Sequence, residues 1–459
     1  MAISLETTLS PSDLTAAADR VAHLAADKVR RLDRSWDRAQ GAPVFTEAGR
    51  YTSRGWTEWT EGFQYGLSLL AYDATDEADL LELGRRRTLE RMPVHLTHFG
   101  VHDHGFNTIS TFGNLHRLVR EGRWRAGEWE ETCYQLAIKT SGAVQAARWS
   151  PFGDEGGYIY SFNGPHSLFI DTLRTLRVLG LGHQLGHLLM GENDRRISLI
   201  DRLIRHGLTS ANYLVWYGKG RDAYDVRGRT SHEGIFNAND GCYRCPGTQQ
   251  GYSPFSTWTR GLAWAMLGFS EQLEFLQTLS NDEIETASGY RKSDVLARFE
   301  QAARATCDFY IEAAACSDGI CYWDTGAPHL HKMGDYLQRP AEPINLYEPV
   351  DASAAAIAAQ GLLRLARSLG EAGASYEHAG LVVAKTLFAE PYLSVDDSHQ
   401  GLLLHSVYHR PNGWDYVPPG QSIPLGESSM WGDYHLLELA LLIGRLARPE
   451  APPLTFFDV

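Results

Sequence analysis

The chain has 459 residues, of which 43% are hydrophobic and 21% charged, and its net charge is −14. That length allows one large repeating domain or a few small ones, and the acidic balance argues against a nucleic-acid partner, which would require a basic face. No basic leader precedes an apolar run in MAISLETTLS, and no stretch reaches about 18 apolar residues, so no membrane span is predicted and a cytoplasmic location is expected.

In chain order the pattern is helix after helix. Ser10, Pro11 and Asp13 form an N-terminal helix signal, and Leu14, Ala18, Val21, Ala25, Val29 and Leu32 follow at helical spacing. Further helices are predicted at 57–73, 76–94, 107–121, 128–148, 166–181, 191–214, 256–279, 290–314, 350–370, 375–394 and 428–447. Alternating strand patterns between them are scarce and short. Gly, Pro and Asn mark loops near 150–165, 218–255, 325–349 and 408–428.

The helices alternate in kind. The odd ones are charged, as in RRRTLER at 85–91 and ENDRRISLIDRLIR at 192–205; the even ones are rich in Gly, Ala and Leu, as in SAAAIAAQGLL at 353–363. A helix apolar nearly all round is buried, and one with a charged face lies outside. About twelve helices alternating in this way predict an all-α fold, a ring of six α-hairpins spanning 1–459 as a single domain. An α-solenoid of the same hairpins would show self-similarity at a fixed period, and none is visible.

Two acidic positions stand out. Asp103 precedes the fourth helix in HDHGF, where it is readable as a helix cap or as a functional carboxylate. Asp171 is predicted inside an apolar inner helix, where burial should raise its pKa and suit it to proton transfer near neutral pH; the alternative is a core Asp satisfied by neighbouring donors. The stretch TQQGYSPFSTWTRGLAW at 248–264 places Gln250, Trp258, Arg260 and Trp264 on one broad side of a helix start. A guanidinium between indoles suits a flat anionic ligand such as a sugar acid, although a buried helix with a snorkelling Arg reads equally well.

These segments together resemble the unsaturated glucuronyl hydrolases of glycoside hydrolase family 88. The resemblance rests on WTEWTEGF at 56–63, HDHGF at 102–106, IDTLRTL at 170–176, QGYSPFSTWTRGLAW at 250–264, EPVDASAAAIAAQGLL at 348–363 and WGDYHLLELALL at 431–442. It implies an (α/α)6 barrel, with Asp171 as general acid/base and Asp103 as its partner carboxylate. It further implies that His232 and Gln250 lie near the reacting ring, that Arg260 and Trp264 bind substrate, and that Trp59 forms an aromatic wall; Trp258 is the other stacking candidate. Leu262 and Gln249 depart from the family's usual residues, as does the CYRC segment at 242–245, and these bear on substrate preference.

The implied reaction removes a 4,5-unsaturated uronic acid from the non-reducing end of an oligosaccharide made by a polysaccharide lyase. It requires no metal or organic cofactor. Alternatives are an unsaturated rhamnogalacturonyl hydrolase of the related family 105, a sugar epimerase or inverting glycosidase on a similar barrel, and a non-catalytic scaffold. Two further patterns are weaker: His183 and His187 have zincin spacing but Gln184 replaces the base Glu, and Cys242 and Cys245 form a C-x-x-C far in sequence from Cys316 and Cys321.

Overall fold

A computed structural model describes residues 3–55, 58–153 and 156–457. The helices are α1 (Thr15–Ser35), α2 (Glu61–Thr75), α3 (Ala78–Arg91), α4 (His104–Thr108), α5 (Asn114–Arg120), α6 (Glu128–Ala147), α7 (Thr172–Thr175), α8 (Arg177–Gln184), α9 (Leu199–Tyr213), α10 (Thr259–Thr278), α11 (Asn281–Ser288), α12 (Lys292–Phe309), α13 (Ala352–Leu369), α14 (Ala374–Leu387) and α15 (Met430–Leu446). A π turn, Ile109–Gly113, joins α4 to α5, so the pair runs as one helix.

The inner ring is α2, α4–α5, α7–α8, α10, α13 and α15, each packed on the next, with α15 returning to α2. The outer helices α1, α3, α6, α9, α12 and α14 lie against them. Every residue of α10 from Thr259 to Leu276 is buried, and every residue of α13 from Ala352 to Ala366. By contrast α1 buries one stripe, chiefly Ala18, Val21, Ala22, Ala25, Val29 and Leu32. The alternation of charge along the sequence is therefore the alternation of inner and outer helices, and the fold is the six-hairpin α barrel. Close inner contacts need small residues: a β-carbon on Gly105 would collide with the Thr175 carbonyl, which locks α4 to α7.

The inner helices are also tied by buried ions. Arg174 on α7 pairs with Glu271 on α10 and, at 2.7 Å, with Glu438 on α15. Arg364 on α13 reaches Glu274 on α10 at 2.8 Å. Burial opposes the Glu438 charge, but Arg174, His435 and Arg177 prevail and lower its pKa to about 2. A second cluster joins Asp73 to Arg117 and Arg445.

Several helix boundaries differ from the sequence reading, and one helix is additional. The segment predicted as helix from 166 opens as a strand, because Ser167, Leu168 and Phe169 pair with Ile235, Gly234 and Glu233. Helix α9 begins at Leu199, after the hairpin of Leu188–Met190 with Arg196–Ser198. A capping box at Ser280 and Glu283 starts α11, which was not predicted. The strands are short and lie in the loops, as three hairpins and one three-stranded sheet of order β5-β8-β9: β1 (Phe45–Glu47), β2 (Arg50–Thr52), β3 (Trp149–Phe152), β4 (Gly156–Ile159), β5 (Ser167–Phe169), β6 (Leu188–Met190), β7 (Arg196–Ser198), β8 (Glu233–Phe236) and β9 (Tyr243–Gly247). Among the described residues no helix is long and apolar enough to cross a membrane.

Candidate active site

A cavity of about 830 Å³ opens where the N-terminal ends of the inner helices meet. Trp59 enters it from just before α2, Asp103 from before α4, Asp171 from before α7, and Trp258, Arg260 and Trp264 from the start of α10. Gln250 reaches it from the loop after β9. Trp56 and Thr57 of the WTEWTEGF motif lie outside the described residues.

Asp171 is not inside a helix, as the sequence suggested. It occupies the N-cap position of α7, delivered there by the β5–β8 pairing. The Ile170 N–H donates to the His232 carbonyl at 3.0 Å, extending that ladder and setting His232 near Asp171. Neither Asp171 nor Asp103 makes a side-chain capping bond, so the cap reading of Asp103 fails on geometry. Both carboxylates are 8% exposed.

Between them lies His102, 1% exposed. Its Nε2 is 3.0 Å from an Asp171 oxygen and 3.7 Å from an Asp103 oxygen. The three side chains form one electrostatic unit whose titrations are coupled. Burial opposes charge on His102, but the two carboxylates outweigh it and raise its pKa. Burial likewise opposes charge on Asp171, yet the attraction of His102 and their hydrogen bond hold its pKa below the usual value. Asp103 has no such bond, and burial pushes it up to about 6. This corrects the expected electrostatics: the raised carboxylate of the resting site is Asp103, and Asp171 rests ionised.

His232 stands behind the cavity rather than in its wall. Its Nδ1 accepts from the backbone N–H of Gln249 at 3.0 Å and Gln250 at 3.3 Å. Burial lowers its pKa to about 4, so the ring is neutral. With Nδ1 an acceptor, the proton sits on Nε2, which is buried and has no partner among the described residues.

Arg260 is more committed than the sequence implied. It is 2% exposed and pairs with Asp351 at 2.8 Å. It also donates to the Val407 carbonyl, to the Tyr408 carbonyl at 2.7 Å and to Gln250 Oε1 at 2.7 Å. Its guanidinium lies 4.8 Å from the ring centres of both Trp258 and Trp431. A guanidinium only donates, so it fixes the Gln250 amide with oxygen toward Arg260 and leaves the amide NH₂ to the cavity. Arg260 thus holds Gln250 and the 407–408 backbone in place. Replacing it with Ala leaves Asp351 buried without its cation. We expect kcat/KM to fall by an amount equivalent to about 2–5 kcal/mol, accompanied by a lower Tm. Kinetics changed with Tm untouched would mean that Arg260 acts on substrate alone.

The aromatic candidates divide in two. Trp258 and Trp264 are 3% and 2% exposed and packed against His232 and Phe106 respectively. Trp59 is only partly buried, backed by Trp431 at 5.2 Å in a stacked arrangement, and keeps a face for a ligand. Sequence reasoning assigned no role to His102, although it lies in the quoted HDHGF motif. It also missed the rim loop with Tyr408, His409, Asn412 and Trp414, which read only as a loop. An indole and an imidazole in a Gly- and Pro-rich loop were the available signal.

The weaker patterns lie elsewhere. His183 pairs with Glu283 at 2.7 Å. Cys242 and Cys245 are exposed, whereas Cys316 and Cys321 are buried.

No family model matches the chain. It is 28% identical to the unsaturated glucuronyl hydrolase of Bacillus sp. (strain GL1), covering 87% of this chain and 89% of that one. It is 26% identical to the unsaturated chondroitin disaccharide hydrolase of Streptococcus pyogenes serotype M1, over 94% and 92% of the two chains. Among solved structures, an unsaturated glucuronyl hydrolase specific for heparin superposes with a TM-score of 0.69 at 19% identity, covering 93% of this chain and 96% of that one.

Proposed function

We propose that this chain, a homologue of the unsaturated glucuronyl hydrolases along most of its length, removes a 4,5-unsaturated uronic acid from the non-reducing end of an oligosaccharide. The observation that carries the reading is the buried Asp103–His102–Asp171 unit at the floor of an aromatic-lined cavity.

The substrate's C4=C5 bond is an enol ether of the ring oxygen. Protonation at C4 leaves positive charge shared between C5 and that oxygen. Water adds at C5 and loses a proton, the hemiketal opens, and the bond from C1 to the aglycone breaks without attack at C1. Asp171 performs both proton transfers. It rests ionised, but the bound uronate brings a second negative charge and displaces water, and both favour its neutral form. The proton comes from His102, 3.0 Å away. Asp171 passes it to C4 and then accepts one from the attacking water. An ionised Asp171 also stabilises the cation between the two steps. The Gln250 amide is the donor for the uronate's carboxylate or neighbouring hydroxyls, His232 holds the Gln249–Gln250 backbone from behind, and Trp59 stacks on a sugar face.

Asp103 favours binding in its neutral form. Below pH about 6 it adds no negative charge against the incoming uronate; above it, ionisation repels the substrate. KM should therefore rise as pH climbs through 6, and Asp103→Asn should flatten that rise whatever it does to kcat. A KM that rises equally in the variant would assign the titration to another group.

The test of the function itself is optical. Adding enzyme to a lyase-generated disaccharide should abolish the near-ultraviolet absorbance of the C4=C5 bond. An epimerase, an ordinary glycosidase or a scaffold would leave it intact.

A further inference from the structure

We infer that the site selects unsaturated uronates joined to an uncharged sugar and works against those whose neighbouring sugar carries a sulfate. The inference rests on the hydrolase reading above and concerns the outer part of the same cavity.

The more exposed lining residues include Glu58, Phe162, Asn412 and Trp414, with the buried His409 and the half-buried Trp59 also in the wall. Phe162 is 40% exposed and Asn412 is exposed, which places them at the entrance. This surface offers aromatic faces, an amide and a carboxylate. Aromatic faces and amides suit the C–H faces and hydroxyls of a neutral sugar. They offer nothing to offset a sulfate, which remains ionised at every working pH.

The cation in the cavity wall is already engaged, and so is Arg54 beside it. Arg260 is the one Lys or Arg among the described residues that line the cavity, and its charge is spent on Asp351. Arg54 stands beside Trp414 but donates to Glu47 at 3.0 Å and to the Trp414 carbonyl at 2.6 Å. Arg410, half-buried on the rim loop, is not a lining residue. The rim imidazole of His409 is held neutral, chiefly by burial and then by Arg260, with a pKa of about 4. A sulfated neighbour would instead meet Glu58 and the charge of Asp171, within a chain of net charge −14. Like charges brought together without a cation oppose binding, and salt screens them.

The test uses lyase-generated unsaturated disaccharides of one linkage, unsulfated and monosulfated on the hexosamine, at low ionic strength. The unsulfated compound should have a kcat/KM at least about tenfold higher. Added salt should narrow the gap, and so should Glu58→Gln, which keeps an oxygen for the Ala42 N–H. Sulfated substrate used as well as or better than unsulfated would overturn the inference and leave the hydrolase reading standing. So would a gap that neither salt nor Glu58→Gln changes, since exclusion would then be steric. No turnover of any disaccharide would overturn the hydrolase reading itself, and this inference with it.

Discussion

Asp171→Asn should fold, bind unsaturated disaccharide and turn it over at least about 10²–10⁴-fold more slowly than the parent. The amide fills the same space at the N-cap of α7 and can still bond to His102 through its oxygen. It cannot give a proton to C4 or take one from water. Circular dichroism and a binding titration beside the kinetics separate chemistry from structure. An unfolded variant would make Asp171 a structural residue. Normal turnover would move the acid/base elsewhere, with Asp103 the first candidate, because its carboxyl is the one that burial raises.

The second large effect is on stability. Arg174 joins three inner helices, with both its side chain and that of Glu438 almost wholly buried. Arg174→Met would leave Glu271 and Glu438 facing each other without the cation between them. Removing one partner of a buried ion pair costs about 3–5 kcal/mol, so the denaturant midpoint should fall sharply. Adding Glu271→Gln and Glu438→Gln should recover part of the loss, because the orphaned charges are then gone. A midpoint unmoved by Arg174→Met would mean that the network contributes little, with Arg177 and Arg364 neutralising the same carboxylates.

Much of the barrel was legible because burial writes itself into composition. An inner helix such as α13 reads SAAAIAAQGLL since neighbours enclose it on all sides, whereas α9 carries ENDRRISLIDRLIR ahead of and along a face that meets water. The β5 strand was missed because SLF at 167–169 is too short to show a period and its partner lies more than sixty residues away. That miss also placed Asp171 inside a helix instead of at its start.

The site was legible as a set of residues and not as a set of charges. Asp103 and Asp171 were found, but the lowered pKa of Asp171 depends on His102, whose burial between them no local pattern reveals. Arg260 read as free to meet a carboxylate because its own carboxylate, Asp351, comes 91 residues later. The buried ion network was invisible for the same reason: Arg174, Glu271 and Glu438 look like isolated polar residues on apolar helices until the ring closes.

The claim on which the rest depends is that chemistry begins at C4. The direct measurement is turnover of an unsaturated disaccharide in deuterated water, with the uronate product read by mass spectrometry and NMR. The account predicts one solvent deuterium fixed at C4, delivered to a single face, as the C4=C5 absorbance disappears. A cleaved glycosidic bond in a product that keeps its double bond and carries no deuterium at C4 would contradict it, and the site would then have to be read as that of an ordinary glycosidase.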